Sequence, residues 1–175
     1  MLKYFFSYGC DKKLFEGLSV TEERELCETY MGKFPVLSLT LKSVESQDFA
    51  GAMTQLCNVI GNEALKFRFL LESRELTEED KKQYAQIIKI GEPGQQMFVM
   101  TKDILENSLQ TLSSLLYKHY SQKVILLIDE YDVPLAKANQ NGYYDEMVSL
   151  IRGLLGNVLK TNENLFFAVL TGCLR

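Results

Sequence analysis

The sequence is poor in the residues that build metal and redox centres. It contains one histidine, and its four cysteines lie far apart with no CxxC pair among them. Transition-metal chemistry therefore has few ligands to draw on, and we expect neither a structural zinc site nor a redox motif. Reduced thiols in a cytoplasmic protein are the simplest interpretation of this cysteine usage.

An excess of positive charge is absent as well. The chain has 19 Lys and Arg against 23 Asp and Glu, which gives a formal net charge of −4. The charge of the whole molecule thus provides no attraction to nucleic acid or to anionic lipid. Binding of nucleic acid would require a local basic patch, and the sequence leaves this open. No apolar run approaches the roughly 20 residues of a membrane-spanning helix, and no signal-peptide pattern opens the chain. We therefore expect no membrane partner.

What the sequence does contain is the composition of one globular domain. Hydrophobic residues make up 46% and charged residues 24% of the 175 residues, which excludes a disordered tail and a disulfide-built miniprotein. Three apolar runs predict β-strands at residues 34–41, 124–128 and 165–170. The last two runs are continuously apolar, as expected of strands that helices cover on both faces.

Helical patterns lie between these strands. Apolar residues recur every three to four positions over residues 49–71, which predicts one long helix. Thr77 and Thr101 each predict the N-cap of a further helix, and a fourth helix begins near Tyr143. Residues 91–94 predict a break between two helices. Strands separated by helices, rather than by short turns, indicate parallel crossovers and an α/β sheet.

The segment KVILLIDEYDVP carries the strongest sign of chemistry. Five apolar residues lead into Asp129 and Glu130, and ligands of an open parallel sheet bind outside the carboxyl ends of its strands. A carboxylate there can hold Mg²⁺ while the metal bridges nucleotide phosphates, and the next carboxylate can orient or deprotonate an attacking water. An apolar run followed by Asp-Glu is the Walker B pattern of P-loop ATPases. The same pattern also fits a buried strand whose acidic residues merely cap the next loop.

Three further side chains follow the ends of these strands. Asp132 is most simply explained by turn chemistry before Pro134. Thr171 follows the run at residues 165–170, where a hydroxyl can contact the attacking water or the terminal phosphate. Arg175 can neutralise phosphate charge there, although its spacing alone favours a solvated side chain.

One motif that nucleotide binding requires is missing. No GxxxxGK[ST] occurs in the 175 residues, so they lack the loop that cradles nucleotide phosphates. A nuclease interpretation of the acidic residues also fails on spacing. The common endonuclease pattern has a lysine two residues after its second carboxylate, and Pro134 stands at that position after Asp132.

Four segments together resemble the AAA-ATPase-like family of predicted bacterial ATPases: MLKYFFSYGCDKKLFEGL, FPVLSLTLKSV, KVILLIDEYDVPL and LFFAVLTGCLR. The resemblance runs in order through nearly the whole chain. It implies that Asp129 is the magnesium-coordinating Walker B aspartate and Glu130 the catalytic glutamate, with Thr171 and Arg175 at the sensor strand and its arginine. It also implies a phosphate-binding loop just upstream of the MLKYFF segment and, in many full-length members, a following restriction-endonuclease-like domain.

These observations predict a three-layer α/β domain of P-loop type over residues 1–175, a parallel sheet flanked by helices and incomplete at both termini. The intact protein is expected to bind ATP with Mg²⁺ and hydrolyse it, whereas this chain alone is expected to be inactive. The resemblance places the Asp129 strand in the middle of three. It leaves the strand at 165–170 with an unpaired edge, through which we expect self-association. The alternative is a non-catalytic protein-interaction module that retains an ATPase scaffold.

Overall fold

A computed structural model describes residues 1–92, 98–160 and 162–173. Of the predicted break at residues 91–94, positions 93 and 94 lie outside this described part. The strands are β1 (Val36–Thr40), β2 (Val124–Asp129) and β3 (Leu165–Leu170). The helices are α1 (Leu2–Phe6), α2 (Arg24–Tyr30), α3 (Phe49–Leu65), α4 (Glu78–Ile87), α5 (Lys102–Tyr120), α6 (Val133–Asn141) and α7 (Tyr144–Leu159), with 3-10 turns at Lys12–Phe15, Ser19–Glu22 and Arg68–Glu72.

The three strands form one parallel sheet in the order β1-β2-β3. The strand that ends in Asp129 is therefore the central one, as predicted. Thr40 lies opposite Asp129 in the pairing of β1 with β2, and the register of β2 with β3 shifts at a bulge between Val124 and Ile125. The architecture is an open α/β sheet flanked by helices, which confirms the predicted fold class.

The main hydrophobic core lies on one face of the sheet. Leu37 and Leu126 are fully buried in it against the apolar sides of α3, α5 and α7. Because successive side chains of a strand alternate between faces, their neighbours Val36 and Ile125 are buried on the opposite face, against aromatic residues of α1 and α2. Each fully buried aliphatic side chain contributes roughly 1.5–3 kcal/mol, so the two clusters hold the sheet from both sides.

The helix starts agree with the predicted caps. The Thr77 hydroxyl accepts the Asp80 N–H at 3.2 Å and the Asp80 carboxylate accepts the Thr77 N–H at 3.1 Å, a reciprocal capping box. Thr101 caps α5 by accepting the Ile104 N–H at 3.3 Å. No helix in the described ranges is both long enough and apolar enough to cross a membrane.

The prediction of one helix over residues 49–71 is wrong at its C-terminal end. α3 stops at Leu65, and the Phe67 N–H bonds to the Ala64 carbonyl at 2.9 Å, a tightened i to i−3 pattern. The chain then continues as the 3-10 turn Arg68–Glu72, which buries Leu70 completely. The apolar spacing persists through this segment because Leu70 still packs into the core, although the backbone is no longer α-helical.

Candidate functional site

The carboxyl ends of the three strands lie side by side at one edge of the sheet. Thr40 ends β1, Asp129 ends β2, and Thr171 follows the last residue of β3. Hydrogen bonds continue past these ends, since the Leu41 N–H donates to the Asp129 carbonyl and the Thr171 N–H donates to the Ile128 carbonyl, each at 2.9 Å. The backbone thus fixes the three tips to one another, at the place where open parallel sheets bind ligands.

Two of the predicted site residues are in direct contact. The Thr171 hydroxyl donates a hydrogen bond to Oδ1 of Asp129, and both residues are exposed. The backbone reinforces this contact, because the Tyr131 N–H donates to the Thr171 carbonyl at 3.1 Å. A carboxylate and a hydroxyl from neighbouring strands are thereby held together, with Asp129 still open to a ligand on its exposed side.

Glu130 turns the chain away from the strand. Its φ of 55° lies in the left-handed region, which residues other than glycine rarely adopt. Its carbonyl accepts the Val133 N–H at 3.2 Å, which closes the turn into α6. A non-glycine residue held in this region costs roughly 1 kcal/mol or more, and such residues are concentrated at functional sites. The surrounding hydrogen bonds therefore impose a conformation that Glu130 would not adopt by itself.

Asp132 lies in the turn before α6, as the sequence predicts, but its side chain makes no hydrogen bond within that turn. The residue occupies the N-cap position of α6. The carboxylate packs against Gly172, where an added Cβ would lie 2.6 Å from Oδ1. This oxygen is buried and has no hydrogen-bond partner among the described residues. A buried acceptor without a donor costs free energy, so Asp132 contributes little to stability.

A cleft of about 1010 Å³ opens beside the turn after β2. It brings Glu130 and Asp132 together with two lysines, Lys42 and Lys137, and α6 forms one side of it. Lys137 is paired with Glu45 at 3.0 Å, so the cleft carries charges of both signs. Sequence reasoning missed this cleft, because no local pattern relates the loop after β1 to the middle of α6.

The Asp129 carboxylate at this edge of the sheet is an oxygen ligand of the kind that Mg²⁺ binds. Within the part of the chain that the structure describes, no three His, Cys, Asp or Glu side chains are grouped so that they could hold a metal ion by themselves. Mg²⁺ does not require such a cage, because it keeps several waters and takes one or two carboxylates together with substrate phosphates. The exposed carboxylate of Asp129 therefore fits this ion, and Thr171 provides the hydrogen bond that orients it.

Three of the four predicted site residues are placed by the structure. Asp129 and Thr171 meet at the sheet edge, and Glu130 follows in the strained turn. Arg175 lies outside the described residues. Sequence reasoning also missed that Asp132 packs against Gly172. The Thr-Gly dipeptide after β3 predicts only that the strand ends there.

Comparison with known proteins agrees with this architecture. The family model AAA-ATPase-like, described as a predicted AAA-ATPase, matches residues 1–175. Neither the curated proteins nor the solved structures yield a match. The family match covers the chain from end to end, and the open parallel sheet is consistent with a P-loop-like fold. The chain therefore belongs to the AAA-ATPase-like family.

Proposed function

We propose that residues 1–175 form the Walker B part of a P-loop ATPase that binds ATP with Mg²⁺ and hydrolyses it. The observation that carries this proposal is the hydrogen bond between Thr171 and Asp129 at the carboxyl ends of adjacent parallel strands, with Glu130 next in the chain. The family match supports it. The 175 residues contain no GxxxxGK[ST], so the proposal requires a phosphate-binding loop from outside them.

In this proposal Asp129 holds the metal. Its carboxylate is exposed at the sheet edge, and the hydrogen bond from Thr171 restrains it before a ligand arrives. Such preorientation reduces the cost of binding, because fewer rotamers are lost when the ligand binds. When bound, Mg²⁺ supplies neutralisation of the negative charge on the phosphates.

Glu130 is the general base of the proposed reaction. Its carboxylate accepts a proton from the attacking water as the bond from water oxygen to the terminal phosphorus forms and the bond to the ADP oxygen breaks. Inorganic phosphate and ADP are the products. The Thr171 hydroxyl, whose proton goes to Asp129, accepts a hydrogen bond from the attacking water. Arg175 neutralises phosphate charge through its guanidinium.

A non-catalytic protein-interaction module is the second candidate. It is favoured by one observation, namely that the 175 residues contain no phosphate-binding loop of their own. In such a module Asp129 and Thr171 would serve only to join β2 to β3. The coding DNA upstream of Met1 separates the two candidates, since only the ATPase requires it to continue in frame into a GxxxxGK[ST] sequence.

The proposed chemistry is tested by Glu130→Gln in the intact protein. We expect ATP binding to persist while turnover falls about 10²- to 10⁴-fold, the range for loss of a general base. Glu163→Gln is the matched control, because Glu163 is an exposed glutamate just before β3, at the opposite end of the sheet. Undiminished ATP hydrolysis by Glu130→Gln would contradict the assignment of Glu130 as the general base.

The metal assignment has its own test, a calorimetric titration with Mg²⁺ and ATP of the intact protein and of Asp129→Asn. The asparagine can keep the hydrogen bond from Thr171, so the fold is preserved while the negative charge is lost. We expect the Mg²⁺-dependent part of the affinity to disappear. An unchanged dependence on Mg²⁺ would place the metal elsewhere.

A further inference from the structure

Two cysteines that lie apart in the sequence share one pocket in the fold. Cys10 stands in the loop after α1, and Cys27 lies in the middle of α2. Both line a cavity of about 340 Å³, and both pack at the margin of the small core cluster formed by Phe5, Phe15 and Met31. The cavity shares no lining residue with the cleft beside β2. The sequence contains no CxxC motif, so it is the fold that brings these two thiols together.

Backbone hydrogen bonds hold the loop of Cys10 against the end of α2. The Gly32 N–H donates to the Phe5 carbonyl at 2.8 Å. The Tyr8 N–H donates to the Phe34 carbonyl at 3.1 Å. A Cβ added at Gly32 would lie 3.1 Å from the Cβ of Cys10. Cys10 is therefore fixed directly beside the residues that follow α2.

The last turn of α2 brings Cys27 to the same place. The Met31 N–H donates to the Cys27 carbonyl at 3.1 Å, so the two residues stand one helical turn apart on the same side of α2. Met31 and Gly32 line the cavity together with both cysteines. The Cys27 thiol donates a weak hydrogen bond to the Val20 carbonyl at 3.1 Å, which restrains its sulfur. Two restrained thiols from separate segments thus border one cavity.

The two thiols also interact through their charges. Burial raises the pKa of the Cys10 thiol, the Asp11 carboxylate raises it further, and Lys12 acts in the opposite direction. A negative charge on Cys27 raises this pKa as well. Salt screens the interaction of exposed charges beyond about 10 Å, so this coupling agrees with the position of both sulfurs at one cavity.

We infer that Cys10 and Cys27 are a modification site that peroxide oxidises to a disulfide. One thiolate attacks a peroxide oxygen and becomes a sulfenic acid, while the O–O bond breaks and hydroxide leaves. The second thiolate attacks that sulfur, forms the S–S bond and releases a second hydroxide. The two thiols together lose two electrons and two protons, and one hydrogen peroxide is reduced to two waters. This inference rests on the fold and is independent of the proposed ATPase activity.

The disulfide would join the loop after α1 to α2 around the two 3-10 turns Lys12–Phe15 and Ser19–Glu22. A cross-link between distant residues restricts the unfolded chain more than the folded one. The native backbone already holds the two segments together, so little of this gain is lost to strain. We therefore expect the oxidised protein to unfold at a higher urea concentration than the reduced protein.

The experiment is peptide mapping of the intact protein after treatment with hydrogen peroxide. Remaining thiols are alkylated and the protein is digested with trypsin, which cuts after Lys12 and Arg24 and so places Cys10 and Cys27 on separate peptides. We expect one cross-linked species that is about 2 Da lighter than the sum of the two reduced peptides. Its yield should exceed that of any other cysteine pair at least tenfold, and the reductant dithiothreitol should reverse it.

The chain provides matched controls for this test. Cys10→Ser and Cys27→Ser should each abolish the cross-link. Cys57→Ser and Cys173→Ser should keep it, because Cys57 is buried in α3 and Cys173 is exposed after β3, and neither lines the cavity. Peptide mapping of the wild type remains decisive even where a serine variant does not fold.

Two results would overturn the inference. One is a native protein in which peroxide leaves both Cys10 and Cys27 open to alkylation while it oxidises the exposed Cys173. The other is an equal yield of the Cys10–Cys27 cross-link when oxidation is carried out in urea, because the fold would then not be what pairs them. We expect oxidation in urea to give a mixture of cysteine pairs instead.

Discussion

Two helical glycines offer a matched test of how closely α3 is packed. In α3, a Cβ added at the buried Gly61 would lie 2.3 Å from Cγ of Phe98 and within 2.6 Å of both neighbouring ring carbons. In α7, a Cβ added at Gly156 would meet nothing within 4 Å. Both glycines lie inside helices, so replacement by alanine changes the helix propensity equally and isolates the packing against Phe98.

The magnitudes follow from these two environments. Alanine is favoured over glycine in a helix interior by about 0.8–1.0 kcal/mol, so Gly156→Ala should raise the free energy of unfolding by up to that amount. At Gly61 the added methyl group would meet the fully buried ring of Phe98. Overpacking there costs about 1–3 kcal/mol, which exceeds the propensity gain. We expect the two variants to differ by roughly 2 kcal/mol in stability, or about 4–8 °C in Tm.

Urea denaturation followed by circular dichroism measures this difference directly. The slope with urea should stay the same in both variants, since the surface exposed on unfolding hardly changes. If Gly61→Ala proves as stabilising as Gly156→Ala, Phe98 does not sit on α3 as described. The result bears on the sheet as well, because Glu63, whose carboxylate accepts the Ser38 N–H of β1 at 2.9 Å, lies two residues after Gly61 on α3.

Two further predictions concern carboxylates. Burial raises the pKa of Asp80, but hydrogen bonds from Lys118 at 2.6 Å and from Thr77 outweigh it and hold the pKa below 3.8. Asp80→Asn should therefore cost roughly 1 kcal/mol at neutral pH. This difference in the free energy of unfolding is fully present above about pH 4 and vanishes as the pH falls through the lowered pKa of Asp80. Urea titrations of both proteins at several pH values measure it. An equal loss of stability at pH 2 and pH 7 would exclude the ion pair as its source. The N-cap residues of α3 and α6 should differ. Asp48→Ala should cost about 1 kcal/mol, because the Asp48 carboxylate accepts the Gly51 N–H at 2.7 Å. Asp132→Ala should be neutral or stabilising, because the buried oxygen of Asp132 has no hydrogen-bond partner among the described residues. A large loss of stability in Asp132→Ala would mean that this oxygen is satisfied in solution.

Much of the fold could be predicted because it is encoded locally. The three apolar runs predicted all three strands to within two residues at either end, and Thr77 with the acidic residues after it predicted the start of α4. The end of α3 could not be predicted, since the apolar spacing continues through Leu70 while the backbone changes to a 3-10 turn. Periodicity reports which side chains are buried and does not report which hydrogen bonds the backbone makes.

The candidate site could be predicted only in part. The position of Asp129 and Thr171 at strand ends follows from the sequence, but their contact depends on β2 and β3 being neighbours, which the family resemblance implied. The left-handed conformation of Glu130 could not be predicted from its residue type, because glutamate rarely adopts it. The packing of Asp132 against Gly172 joins residues far apart in the chain, and no local pattern contains it.

The arrangement of the strand tips also has a consequence for folding kinetics. Thr40, Asp129 and Thr171 come together only after two helical crossovers have closed, and the contact of Asp129 with Thr171 spans 42 residues. Closing a connection of this length costs conformational entropy before any hydrogen bond between the strands forms, so the pairing of distant parallel strands is slow. The site therefore forms late, and during synthesis it cannot assemble until β3 has left the ribosome. Protection of the Tyr131 amide, which bonds to the Thr171 carbonyl, would time this last step in a refolding experiment.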